Sequence, residues 1–221
     1  MFYIYNIQYQ MMILTPDIIK MLASYNINIT GAFHIGAHDC EELEIYHKLK
    51  IQNENIVWIE AIPSKVSSAI EKGIQNVYNA VITDKDDEQV ILNVSNNVQS
   101  SSVLEFGTHA TEHPHIVYVD KLYQQSITID TFMERNNIDA RKHNFWNLDI
   151  QGAELMALKG ATKSIQHAKA LYLEVNETEV YKGCGLMPDI DAFLLQYKFK
   201  RVLTFMTRHG WGDALYIYVG N

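Results

Sequence analysis

Three acidic residues stand where short apolar runs of the sequence end. Glu60 closes Val57-Trp58-Ile59, Asp149 follows Asn147-Leu148, and Glu174 follows Leu171-Tyr172-Leu173. In open α/β sheets ligands bind beyond the carboxyl ends of the strands, so acids at such ends face the crevice. A carboxylate accepts two hydrogen bonds and matches a vicinal diol. It can also take the proton of an alcohol within hydrogen-bond reach. Glu60 lies roughly 20 residues beyond the turn at Gly36, the spacing at which nucleotide-binding folds hold ribose hydroxyls. Asp149 and Glu174, on what would be neighbouring strands, are the candidate catalytic pair. Asp149 is the first choice for base or acceptor orienter. Gln151, Glu154 and Asn176 follow on the loops just beyond, with Glu154 expected to cap its helix.

The turn His34-Ile35-Gly36-Ala37-His38-Asp39-Cys40-Glu41 is the second chemical feature. Gly36 and Ala37 are small enough to let the backbone approach a ligand. No glycine follows near the helix start, so the pyrophosphate pattern of dinucleotide-binding dehydrogenases is missing. Glu41 and Glu42 would repel a phosphate and suit a cationic ligand or an amino group. His109, His113 and His115 invite a zinc reading, but zinc wants a compact set with a fourth ligand, and Pro114 parts the last two. They are expected on an acceptor-side loop, where one could serve as base. His209 and Trp211 lie in the last connection, with Trp211 placed either to stack on a sugar ring or to pack the hairpin.

The elements that position these residues follow from the apolar pattern. Thr15-Pro16-Asp17 starts a helix with a hydroxyl cap, proline at the first turn and an acid at the positive end of the dipole. That helix is expected over 15–25. Strands are expected at 29–35, 56–60 and 77–82, with helices at 41–49 and 63–73 between them. Another strand is expected at 89–94, and the polar stretch 96–115 reads as a functional loop. Residues 127–130 lead into a helix. A strand at 145–150, a helix at 152–160, a strand at 171–175 and a helix at 188–196 follow, with a closing hairpin of 199–205 and 214–219. Short apolar strands alternating with amphipathic helices specify a parallel sheet covered on both faces.

Bulk properties narrow the class. The 221 residues fit one domain, and 48% hydrophobic with 20% charged residues is an ordinary globular composition. A net charge of −8, with pI near 5.5, and no visible Lys/Arg cluster weigh against nucleic acid as a partner. No apolar run is long enough to span a membrane. Residues 1–14 lack the basic start of a secretion signal and read as an N-terminal strand or docking segment. Cys40 and Cys184 are too few for a disulfide framework or a zinc site. A reducing, cytoplasmic location is expected.

Further stretches carry a family resemblance. Asn147-Leu148-Asp149-Ile150-Gln151-Gly152-Ala153-Glu154-Leu155 with Leu158-Lys159-Gly160-Ala161, the ending Trp211-Gly212-Asp213-Ala214-Leu215-Tyr216-Ile217, the first turn, and Ile59-Glu60-Ala61-Ile62-Pro63 together resemble the FkbM family of methyltransferases. The resemblance runs from about Ala32 to about Ile217 and is most specific in the block around Asp149. It implies a Rossmann-like class I methyltransferase fold: an α/β, mostly parallel seven-stranded sheet with an antiparallel C-terminal strand and helices on both faces. A single domain over 1–221 is expected, with 1–28 as an N-terminal strand and helix extension. The implied cofactor is S-adenosyl-L-methionine. Gly36, Ala37 and His38 would line its methionine side, Glu60 with Ala61 its ribose, and Asn79, Ala80 and Val81 its adenine. Ser101 would lie beside it, and Asp149 at the methyl-transfer centre. The family commonly has an acid at His34 and a small residue at Cys40. His34 then reads as a cofactor contact or as a buried, satisfied histidine, and the acid's role shifts to Glu41 or Glu42. Clustered carboxylates could hold Mg²⁺, but the spacing requires none, and no metal ligands are assigned.

The function expected is an O-methyltransferase acting on a small-molecule or glycan hydroxyl, alone or beside glycosyltransferases. An RNA ribose 2′-O-methyltransferase is the second reading. Enzymes of that kind resemble one another in a Lys-Asp-Lys-Glu set, and here Glu174-Val175-Asn176 stands where its lysine would be. A cofactor-binding scaffold without catalysis is the third.

Overall fold

The structure, a computed structural model, describes residues 3–5 and 16–220. The chain first lays down β1 (Tyr3–Tyr5), α1 (Pro16–Ser24), β2 (Ala32–Ile35), α2 (Leu43–Lys48), β3 (Ile56–Glu60), α3 (Pro63–Glu71) and β4 (Val77–Asn79). Then come β5 (Val81–Ile82), β6 (Gln89–Ser95), the one-turn α4 (His109–Glu112) and β7 (Tyr118–Ile127). Alternation resumes with α5 (Ile129–Arg135), β8 (Phe145–Leu148), α6 (Glu154–Lys159), β9 (Ala170–Asn176) and α7 (Met187–Gln196). The hairpin of β10 (Phe199–Met206) and β11 (Trp211–Tyr218) closes the fold.

One sheet has the order β1-β10-β11-β9-β8-β2-β3-β4. The five strands from β9 to β4 are parallel, and β11 runs antiparallel to both β9 and β10. The expected seven strands with a reversed last one are thus present. β1 adds an eighth at the edge, pairing parallel with Thr204–Met206 of β10. Residues 6–15, and with them the cap proposed at Thr15, lie outside the described residues.

β2, β3, β8 and β9 are buried along their whole length, as strands covered on both faces must be. Their side chains alternate between two cores. Phe33, Ile59, Trp146 and Leu173 meet Phe132 of α5, Leu158 of α6 and Leu194 of α7 on one face. Ala32, Trp58, Phe145 and Tyr172 meet Leu22 of α1, Tyr46 of α2 and Ala69 of α3 on the other. Because the central strands are parallel, the turns after β2, β3, β8 and β9 all leave the sheet at one edge. That edge carries the site.

Three elements differ from expectation, the first being α4, a single helical turn inside the stretch 96–115 read as a loop. The run 77–82 is two strands, since β4 pairs with β3 while β5 joins a separate sheet of order β5-β7-β6. The break falls at Ala80, where the Asn79 amide donates to the carbonyls of Glu60 and Ala61 (2.9 and 3.0 Å) and turns the chain away. β7 has no counterpart in the apolar pattern. Asp120-Lys121 and Gln124-Gln125 interrupt its alternation, and it is held by antiparallel pairing with β6 from Gln89–Gln125 to Ser95–Tyr118. No helix of the described residues is long and apolar enough to cross a membrane.

Candidate active site

The turn after β2 is fixed by the neighbouring strands. The N–H groups of Gly36 and Ala37 donate to the Ile59 carbonyl (2.9 and 3.0 Å), and the Asp149 N–H donates to the Ile35 carbonyl (3.0 Å). Gly36 has φ +87°, and a Cβ there would lie 1.8 Å from the Asp149 carbonyl oxygen. The small residue is therefore demanded first by the protein's own backbone, not by a ligand. His38 and Cys40 follow with left-handed φ of +44° and +58°, a conformation costing roughly 1–2 kcal/mol for a residue with a Cβ.

That turn ends on the Glu60 carboxylate. Its Oε2 accepts the His38 N–H and its Oε1 the Ile62 N–H, both at 2.8 Å. The group is 8% exposed, and burial raises its pKa against these two bonds. Each oxygen retains a further lone pair.

Asp149 and Glu174 come together as expected. The Gln151 Nε2 donates to Asp149 Oδ1 (2.6 Å) and to Glu174 Oε2 (2.7 Å). Its Oε1 accepts the Tyr181 hydroxyl (2.6 Å), which orients the amide. Gln151 reaches this position from a left-handed backbone, φ +56°. Burial raises the pKa of both acids, and Glu154, Asp149 and Asp213 push Glu174 further up. Glu154, the first residue of α6, turns its carboxylate back onto its own N–H and the turn before it. Its Oε1 accepts the N–H of Ile150 (2.9 Å) and Gly152 (3.3 Å), bracing the turn that presents Asp149. It is wholly buried, and burial lifts its pKa to about 8.

A cavity of about 280 Å³ lies along this edge. Gly36, Ala37, His38, Glu41, Glu60, Ala61, Ala80, Val81, Ser101, Asp149 and Glu174 all line it. His34 and Asn79 do not. The His34 ring is enclosed by Tyr46 and Trp58, with Nδ1 3.0 Å from the Tyr46 hydroxyl, and burial lowers its pKa to about 3. Asn79 spends its amide on the turn described above. Ser101 receives the Ser95 N–H (3.0 Å), and the Ser102 hydroxyl donates to the Gln151 carbonyl (2.8 Å), tying the serine segment to the β8 turn.

Ile116, Val180 and Tyr181 in the cavity wall, and Asp213 beside Glu174 on the neighbouring strand, are residues that the sequence pattern does not single out as site residues, whereas Glu42 is one of its first-turn acids. Glu42 lines the cavity, folded back so that Oε2 is 3.8 Å from His34 Nδ1. Burial pushes its pKa up to about 8, reinforced by Glu41, Asp149 and Asp213. Asp213 of β11 stands opposite Glu174 in the strand register and is raised to about 8 by burial and Asp149. A Trp-Gly-Asp on an antiparallel neighbour of β9 is the only local trace of that pairing. The far wall is His109, His113, Ile116, Val180, Tyr181 and Trp211. His113 and His115 are 6.3 Å apart between ring centres, and His113 and His209 4.8 Å.

Among the described residues, the one group able to offer three ligands to a cation is His38, Asp39 and Glu41. Asp39 is held by Lys65 (2.7 Å) and Lys72 (3.2 Å), and His38 Nδ1 lies 2.8 Å from Glu41. The group is internally paired, and no metal is assigned to it.

This strand order, with its reversed last strand and a cavity at the carboxyl edge, defines the Rossmann-like class of S-adenosylmethionine-dependent methyltransferases. The profile of the Methyltransferase FkbM domain matches residues 34–209, and the chain belongs to that family. The methyltransferase FkbM of Methylobacillus flagellatus KT is 17% identical with a TM-score of 0.55, over 86% of this chain and 44% of that one. This chain thus spans less than half the length of that relative. A putative tRNA methyltransferase of Streptococcus pneumoniae is 11% identical (TM-score 0.47; 93% and 70% covered). Magnesium protoporphyrin IX methyltransferase of Synechocystis is 12% identical (TM-score 0.44; 90% and 74% covered). Among curated proteins none matches.

Proposed function

We propose that this protein transfers the methyl group of S-adenosyl-L-methionine to a hydroxyl, and that the acceptor is a sugar or glycan. The observation that carries the reading is the meeting of Asp149 and Glu174 on one amide nitrogen, in the wall of the cavity that Glu60 also lines. The residues fit the donor. Ile62, Val81, Ile82 and Leu92 offer apolar surface to a flat base, and Glu60 keeps lone pairs for a diol. Glu41, Glu42 and Asp149 suit cationic groups. Gly36, Ala37, His38 and Ala61 supply the close backbone, Ala80 and Ser101 the remaining contacts, while His34 and Asn79 support from behind.

When bound, the donor supplies an electrophilic methyl on a sulfonium. The protein's part is mainly to position acceptor and donor. As the acceptor oxygen gains carbon, its proton passes to Asp149, whose carboxyl Gln151 and Glu174 hold in place. His109, Tyr181 and Trp211 line the far wall, and aromatic side chains of this kind suit a sugar. None of the described residues lining the cavity is Lys or Arg, which disfavours RNA as acceptor. The reading requires no Mg²⁺. Buried, unpaired Cys40 and Cys184 suit a reducing, cytoplasmic compartment.

Calorimetry with S-adenosylhomocysteine and with NAD tests the donor, and binding of NAD alone would overturn the assignment. Labelled donor incubated with a panel of mono- and oligosaccharides, with an RNA control, tests the acceptor. Label on the sugars and not on RNA is expected; label on RNA alone would replace the glycan reading.

A further inference from the structure

The cavity carries more acid than donor contacts need, and among its described lining residues no lysine or arginine answers it. Glu41, Glu42, Glu60, Asp149 and Glu174 line it. Of the groups packed around these acids, His38 offsets them only in part, favouring the ionised forms of Glu41, Glu60 and Asp149. From β2 comes the uncharged His34 ring, and from the turn His38, which lies against Glu41. From α2 comes Tyr46, and from β9 Tyr172, both with hydroxyls that stay protonated through burial. Tyr181 follows β9, Glu154 belongs to α6 and Asp213 to β11. Lys65 and Lys72 pair with Asp39 instead. A separate feature also points to a ligand: His109, 6% exposed in the far wall, leaves Nδ1 without a hydrogen-bond partner.

We propose that Glu42, Asp149 and Glu174 make the cavity read the donor's charge, holding the sulfonium form tighter than the neutral thioether left after transfer and releasing protons when the sulfonium form binds. The inference rests on the donor assigned above. Buried acids this close cannot all ionise without a counter-charge. Burial and mutual repulsion accordingly raise Glu42, Asp149, Glu174 and Asp213 together. A fixed cation among them favours their ionised forms, so its binding is linked to proton loss. The sulfonium and thioether share adenosine, amino and carboxyl groups, so comparing the two leaves the sulfonium charge and its methyl, of which only the charge is linked to proton loss. Losing that charge on transfer weakens the hold on the product and assists its release.

The test is calorimetry of the full chain with S-adenosylmethionine and with S-adenosylhomocysteine, each in two buffers of different ionisation enthalpy. The ratio of their affinities should shift about tenfold towards the sulfonium between about pH 6 and about pH 8.5, the change one pKa unit makes. More protons should leave with the sulfonium than with the thioether. Glu42→Gln should flatten the rise, and if that variant fails to fold, the pH profile of the unmodified protein decides alone. Equal proton release and a pH-independent ratio would overturn the inference while leaving the donor assignment standing. Binding of neither ligand would overturn both.

Discussion

The two walls of the cavity are built by different means. The wall formed by the turns after β2, β3 and β8 is backbone held by hydrogen bonds: Gly36 and Ala37 on Ile59 and Asp149 on Ile35, backbone to backbone, and the N–H groups of His38 and Ile62 on the Glu60 carboxylate. The opposite wall is a stack of rings. Tyr118 stacks on Phe106 (3.9 Å between centres) and Phe106 on His109 (4.3 Å), with a bridge from Phe106 to Tyr181. A backbone wall holds one shape, whereas a ring stack can change side chain by side chain on the same scaffold. The first suits a constant donor and the second a variable acceptor.

The sharpest way to break that division is to remove chemistry while keeping the backbone wall. Asp149→Asn keeps the shape and should retain affinity for the uncharged thioether, S-adenosylhomocysteine, in calorimetry. Turnover should fall by about 10²–10⁴, the usual worth of a positioned general base. Unchanged turnover would remove the proton role from Asp149.

The next effect concerns the wall itself. Gly36→Ala places a Cβ 1.8 Å from the Asp149 carbonyl at φ +87°, while Gly73→Ala, at φ +82°, meets nothing within 4 Å. Both changes carry the left-handed penalty of roughly 1–2 kcal/mol. Gly36→Ala adds a clash and should cost more than about 3 kcal/mol in chemical denaturation. Equal losses would mean that the β2 turn is not clamped by β8.

The same division explains what could be read from the sequence. Glu60, Gly36 and Asp149 were legible because local spacing along a strand–turn–helix unit fixes where they fall. Strands of the central sheet were legible because continuous burial forces apolar runs. β7 was not, since its polar pairs hide an element held by its partner β6. The split of 77–82 was hidden because Asn79 acts through carbonyls 18 and 19 positions upstream. Tyr181 enters the site, and Asp213 comes to stand opposite Glu174, through long-range packing of the loop after β9 and of β11, which no local pattern encodes. His34, a strand residue beside the turn, faces the helix-side core instead.

The ring stack should be the more forgiving wall. Phe106→Ala removes contacts to Tyr118 and His109 and should cost about 2 kcal/mol, less than a fully buried phenylalanine. That corresponds to about 4–8 °C in melting temperature for a chain of this size. Donor affinity should stay close to that of the unmodified protein. A tenfold loss would show that both walls serve the donor.

The smallest effect separates the two walls by pH. His34 has its pKa lowered from 6.5 to about 3 by burial, so the unfolded chain takes up its proton first, and stability is lost as pH falls from 6.5 towards 3. Glu42, raised from 4.5 to about 8, and Asp213, raised from 3.8 to about 8, act in the opposite window. The folded protein keeps protons that the unfolded chain has released, so stability falls as pH rises from about 4 towards 8. The ligand-free protein should therefore melt a few degrees lower at about pH 8.5 than at about pH 6, at roughly 2–4 °C per kcal/mol. Glu42→Gln should reduce that slope, and Phe106→Ala should leave it unchanged, because the acids belong to the strand-end wall alone. If melting instead rises with pH, the cavity acids are ionised without a ligand, and a bound cation would have no protons to displace.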